Sequence, residues 1–178
     1  MTLGDAAMKA QSGIVKLPEE SYETAIRRFA RGGAHIAGDD KTNPWVPFGE
    51  AAAIKHFCFD VRTNSVANIL WVKGGGRIGT HKHRGIVSAV TLEGSWAYYE
   101  YDWTARAGDF VYELPGAAHT LYSHDPNGMK AVFWINGSIE FYDDNGKHDF
   151  TADVFWFIDH YTRYCEANGF EIDKDKFI

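Results

Sequence analysis

From Ile54 to Tyr142 the chain is written as short apolar and aromatic runs, each too brief for a helix and each closed by a turn signal. The runs are Ile54–Asp60, Val66–Val72, Ile86–Leu92, Trp96–Trp103, Phe110–Leu114, Thr120–Ser123, Met129–Ile135 and Ile139–Tyr142. Between them stand RTN, GGGRIG, EGS, ARAGD, PGAA, HDPNG and NGS, whose Gly, Pro, Asn and Asp favour turns. Many short strands at regular spacing predict an all-β sandwich or barrel rather than strands alternating with helices. Upstream, Pro44 and Pro47 in DDKTNPWVPFGE exclude a helix.

Both ends read differently. PEESYETAIRRFARGG, from Pro18, predicts a short helix with acidic residues at its start, arginines at its end and Tyr22, Ile26 and Phe29 on one face. Met1–Gln11 reads as a loose arm. TADVFWFIDHYTRYCEANGF predicts a second helix, with Val154, Ile158, Tyr161 and Cys165 as its buried stripe and Gly169 as its C-cap. The expected division is an N-terminal arm and helix over 1–44, a barrel over 45–145, and a C-terminal helix over 146–178 packed on it. At 178 residues this makes a single domain.

Six Trp, nine Tyr and twelve Phe suit broad sheet faces. A net charge of -6, with no basic run, argues against nucleic acid as a partner. Cys58 and Cys165 form no CxxC pair and are expected to be reduced thiols. The first residues lack the apolar core of a signal peptide, and no apolar run is long enough to span a bilayer. The expectation is a cytoplasmic protein without a membrane partner.

The chemistry centres on GGGRIGTHKHRG, Gly74–Gly85. On a strand, side chains two apart share a face, so His81 and His83 point the same way. In a chain with eight histidines such a pair is weak alone. It gains force from His119, which follows a Pro-Gly turn one strand pair later. His81, His83 and His119 are therefore the candidate metal ligands. His35, His56, His124, His148 and His160 lack partners at ligand spacing and read as structural. Glu113, six residues before His119, is the carboxylate of interest, as an acceptor for a ligand's ring N–H or as a base. Arg77 and Arg84 flank the motif and could attract an anion. GGGRIG lacks the GK[ST] and following helix of a phosphate loop.

A glycine turn, HxH, a strand, a hairpin and then G…PG…H resembles the two-part cupin motif. That resemblance implies a double-stranded β-helix, or jelly-roll barrel, whose three histidines bind one divalent metal. Cupins normally add a carboxylate a few residues after HxH; here Arg84, Gly85, Ile86, Val87 and Ser88 follow, with Ser88 expected near the missing position. GSWAYYEYDW, FVYELPGAAHTL, the NG…YDDNG segment and HYTRYCEANG resemble the 2,4'-dihydroxyacetophenone dioxygenase family. That family is similar to the acetylacetone dioxygenases, which use an all-histidine iron site. Leu114 departs from it, replacing a second proline.

The resemblance implies a non-haem Fe(II) dioxygenase that cleaves a C–C bond of a small enolisable ketone with O2. The ketone would be an α-hydroxyketone or β-diketone, aryl-substituted or not, with Glu113 as the catalytic carboxylate. Zn, Ni and Mn are ions that a purified sample could carry instead of iron. A homodimer or homotetramer is the expected assembly. The rival readings are a non-catalytic metal-binding sensor, and a metal-dependent isomerase or hydrolase that turns over without oxygen.

Overall fold

In the computed structural model the described residues are 33–178, and the helix expected from Pro18 lies outside them. The strands are β1 (Val46–Phe48), β2 (Ala52–Asp60), β3 (Ser65–Val72), β4 (His81–His83), β5 (Val87–Tyr98) and β6 (Ala105–Arg106). They continue with β7 (Phe110–Glu113), β8 (Ala118–His119), β9 (Leu121–Tyr122), β10 (Met129–Asn136), β11 (Ile139–Tyr142) and β12 (His148–Ala152). A helix, α1 (Val154–Asn168), and a 3-10 turn, Lys174–Lys176, end the chain.

Pairing is antiparallel within two sheets. The larger runs β1-β2-β3-β10-β5-β6, with β7 and β9 also on β5; the smaller runs β12-β11-β4-β8. Alternation drives burial. Along β3 every second residue is buried, and on β5 Val87, Ala89 and Thr91 turn inward while Ser88 and Val90 do not. Val87, Ala89, Phe133 and Ile135 of the larger sheet and Ile139 and Phe141 of the smaller belong to one core. This is the all-β class that the strand pattern predicts, with the jelly-roll form that the resemblance implies.

Three local expectations are corrected. Ile86–Leu92 and Trp96–Trp103 are not two strands around an EGS turn. They form the single bent strand β5, which runs from Val87 only to Tyr98. The register against β10 slips between Lys130 and Ala131, so that Leu92 has no partner, and Gly94 takes φ 66°. Such a bulge bends a strand and raises its twist. Beyond it β5 leaves β10 and pairs with β6 and β9, which curls the sheet. Second, Thr120–Ser123 is replaced by two short strands, β8 and β9. Third, the last helix starts later than expected. Thr151 and Ala152 belong to β12, and the Asp153 carboxylate accepts from the Trp156 N–H at 2.9 Å as the N-cap. The buried stripe is Val154, Phe157, Tyr161 and Cys165, with Ile158 only half-buried; Gly169 is the left-handed C-cap, as expected. Cys58 and Cys165 are both free thiols. No helix among the described residues is long and apolar enough to cross a membrane.

The helix docks through a histidine pair. His160 Nε2–H donates to the Pro47 carbonyl at 2.9 Å, which leaves its Nδ1 to accept from His56 Nε2–H at 3.1 Å. Burial keeps both rings neutral. Burial, then the neighbouring His160 and Lys176, holds His56 well below the usual imidazole pKa; burial also lowers His160.

Two predictions follow from this packing. Gly94→Ala places a Cβ against the Gly128 carbonyl oxygen in a left-handed backbone, so urea unfolding should show a loss of about 2 kcal/mol or more. The unfolded chain takes up protons below about pH 6.5 that folded His56 and His160 refuse, so stability must fall as pH drops through that value. Thermal melts at pH 7 and pH 5 should show the drop, with a shallower slope in His56→Phe; identical slopes would exclude the pair as a contributor.

Candidate metal centre

β4 carries two histidines because its alternation turns His81 and His83 inward and Lys82 outward. β8 pairs with β4 so that His119 lies directly opposite His81, and β11 pairs on the other side with Phe141 opposite His81. All three histidines thus project from the smaller sheet into the barrel, almost fully buried. Their ring centroids lie 4.8 to 5.3 Å apart, and one nitrogen from each falls within 4.8 Å of the others.

The larger sheet supplies the fourth group. Glu113 ends β7 opposite Val87, and its Oε2 stands 3.2 Å from His83 Nε2 and 3.3 Å from His119 Nε2. Those atoms approach one another without the alignment of hydrogen bonds. His83 Nδ1 and Nε2, His119 Nδ1 and Nε2, and Glu113 Oε2 are all buried without a hydrogen-bond partner. Buried polar atoms are normally paired, and a neutral imidazole keeps one lone pair, so one nitrogen from each of three rings beside an unpaired carboxylate oxygen fits a cation.

The tautomers agree. His81 Nδ1 lies 2.9 Å from the Gly79 carbonyl oxygen, which can only accept, so Nδ1 carries the proton and Nε2 keeps its lone pair. Burial lowers the pKa of His81 to about 4; burial together with neighbouring imidazoles brings His119 to about 3 and His83 to about 2. Three neutral imidazoles are what a divalent transition metal requires. Glu113 is pushed up to about 7 by burial, against the lowering effect of its hydrogen bond from Tyr98.

Tyr98 is the residue that sequence reasoning missed. Its ring stacks on His119 at 3.7 Å between centroids and 8° between planes, and its hydroxyl donates to Glu113 Oε1 at 2.6 Å. It thereby fixes a histidine ring and the carboxylate together. Its parity on β5 was hidden by the bulge before it. Beside His81, His83, Tyr98 and Asn68 lies a mostly apolar cavity of about 40 Å³, enough for a water or two. Phe48, Ile78 and Phe141 separate it from a surface groove of about 670 Å³.

Other expected participants lie elsewhere. Ser88 is corrected: it pairs with Tyr112 and Trp134, both exposed, and so faces away from the barrel interior. Arg84 is bound to Glu140 at 2.7 Å, and Arg77 sits 3.9 Å from Asp144 on the surface. His56 and His160 pair with each other, away from the cluster.

No curated protein matches the chain significantly. Among solved structures it is similar to an RmlC-like cupin from Ralstonia eutropha JMP134, at 28% identity and TM-score 0.75, over 81% of this chain and 94% of that one. It is also similar in fold to an acetylacetone dioxygenase from Acinetobacter johnsonii, at 20% identity and TM-score 0.65, over 75% of this chain and 93% of that one. Residues 34–139 match the model of the ChrR cupin-like domain, which spans more than half of the sequence. The chain belongs to the ChrR cupin-like domain family.

Proposed function

We propose that the protein is a non-haem Fe(II)-dependent dioxygenase that cleaves a C–C bond of a small enolisable ketone, an α-hydroxyketone or β-diketone. The observation that carries this reading is the convergence of three neutral imidazoles and one carboxylate in a buried pocket. His81, His83 and His119 would hold the ion, with Glu113 beside it. When bound, Fe(II) supplies a Lewis acid for an enolate oxygen and electrons for O2. With a single carboxylate against a dipositive ion, the site keeps a net positive charge that favours an anionic enolate.

The chain's own groups do the rest. Gly79 and Tyr98 hold the rings of His81 and His119 in place, so little reorganisation is needed when a ligand arrives. Glu113 Oε2, with its pKa near 7, is suited to accept the acidic α-proton of the ketone. Tyr98 keeps that carboxylate aimed by holding its other oxygen. Apolar neighbours such as Leu70, Leu121 and Phe133 exclude water, which strengthens these charge interactions. A ketone enters from the groove by displacing the Phe48–Ile78–Phe141 wall, since the inner cavity alone is too small for it.

Protein reconstituted with Fe(II) should consume O2 in proportion to an added enolisable ketone and release carboxylic acid fragments. His119→Ala should lose both iron and oxygen uptake. Iron-loaded protein that consumes no O2 across a panel of such ketones would favour the sensor reading, and turnover under nitrogen the isomerase or hydrolase one. Glu113→Gln keeps the shape but cannot accept the proton, and turnover should fall about 100-fold or more. Unchanged turnover and unchanged iron content would remove Glu113 from the site.

A further inference from the structure

We propose that Tyr98 begins an electron path that carries oxidising equivalents from the metal centre to the protein surface at Tyr101. The inference rests on the metal-centre reading above and on iron occupying it, and it does not require the dioxygenase activity. Three independent observations point to it. The Tyr98 ring lies face to face on His119 at 3.7 Å, in direct contact with a group that would ligate the metal. Its phenol already donates to Glu113 Oε1 at 2.6 Å, so a proton acceptor is in place when the ring loses an electron. Behind it the aromatic contact continues outward: Tyr98 meets Trp103 at 5.5 Å and Tyr101 at 5.7 Å, and these two rings stack on each other at 5.8 Å. Tyr98 is 1% exposed whereas Tyr101 is 42% exposed, so the cluster runs from the buried centre to solvent.

A hydrophobic core needs aromatic mass here, but not a phenol bound to the centre's carboxylate. The chemistry balances with hydrogen peroxide as the oxidant. Reduction of peroxide to two waters takes two electrons and two protons. Iron held by His81, His83 and His119 would supply one of these electrons through its Fe(II)/Fe(III) couple. Tyr98 gives the second as its O–H bond breaks, and its proton is held on Glu113; both protons of the reduction come from solvent. The Tyr98 radical then takes an electron from Tyr101, directly or through Trp103, and a proton back from Glu113. Tyr101 releases its own proton to water and carries the radical, where a dissolved thiol can reduce it. Oxidising equivalents that miss the substrate thus leave at the surface instead of damaging the histidines.

The test is freeze-quench electron paramagnetic resonance on the full chain loaded with Fe(II) and mixed with hydrogen peroxide. Wild-type protein should give a tyrosyl signal that narrows when ring-deuterated tyrosine is incorporated. Tyr98→Phe keeps the stack on His119 but removes the bond to Glu113; with spectra normalised to bound iron, its signal should be lost. Tyr101→Phe should retain the signal but lose the dityrosine cross-links formed between molecules. Iron-loaded protein without an aromatic radical, or an equal signal in Tyr98→Phe, overturns the path alone. Failure to retain iron overturns the metal reading with it. A radical in protein inactive on every ketone supports the path and overturns only the dioxygenase.

Discussion

The pairing of two very short strands, β4 and β8, is the contact on which the site depends. It sets the Cα atoms of His81 and His119 directly opposite each other, and β4's own alternation adds His83. Neither strand could hold this register alone, since β8 is two residues long. β11 fixes β4 from the other side over its whole length, and β12 braces β11. The histidines are thus held by a four-stranded sheet in which β11 and β12 contribute no ligand of their own. The cost is local. Each buried polar atom left without a partner removes about 1–3 kcal/mol, and five of them cluster here. A fold that tolerates this cost gains a donor set whose lone pairs are free for an ion.

The legible part of the site was the part encoded locally. His81 and His83 share a strand face because the period of two operates within three residues. His119 was marked by the Pro-Gly turn that precedes it. The carboxylate was harder, because the motif suggested searching just after His83, where only Ser88 was available. Register sends Ser88 outward, opposite Tyr112 and Trp134. Glu113 comes from the facing sheet, thirty positions on from His83, and only the closing of the barrel brings them together.

The same distinction explains the errors in the fold. Glu93-Gly94-Ser95 has turn composition, and Gly94 does adopt a positive φ, but it serves a bulge inside one strand. A bulge and a turn draw on the same residue types, and only the partner strand tells them apart. That ambiguity also concealed Tyr98, whose side-chain direction depends on the extra residue at Leu92. The helix boundary, by contrast, was written in the chain. Asp153 stands before the apolar run as an N-cap, and Thr151 is a better strand residue than helix residue.

The glycine-rich turn has a second consequence for access. Its side chains and backbone, from Lys73 to Gly79, line the surface groove, and Ile78 lines the inner cavity as well. Gly79 lies against Phe141, where even a methyl group would already be in contact with the ring at 3.9 Å. Phe141 in turn faces His81 at 5.4 Å and stacks on Phe150 at 4.6 Å. The turn that leads the chain into β4 therefore also forms one side of the wall before the histidine cluster. A change there acts on two things at once, the register of His81 and His83 and the width of the passage to them. Such coupling makes the turn a poor place to alter specificity alone. Phe48, on β1 at the far edge of the other sheet, borders the same passage and holds no ligand strand in register. It is therefore the residue through which the opening can vary while the donor set stays fixed.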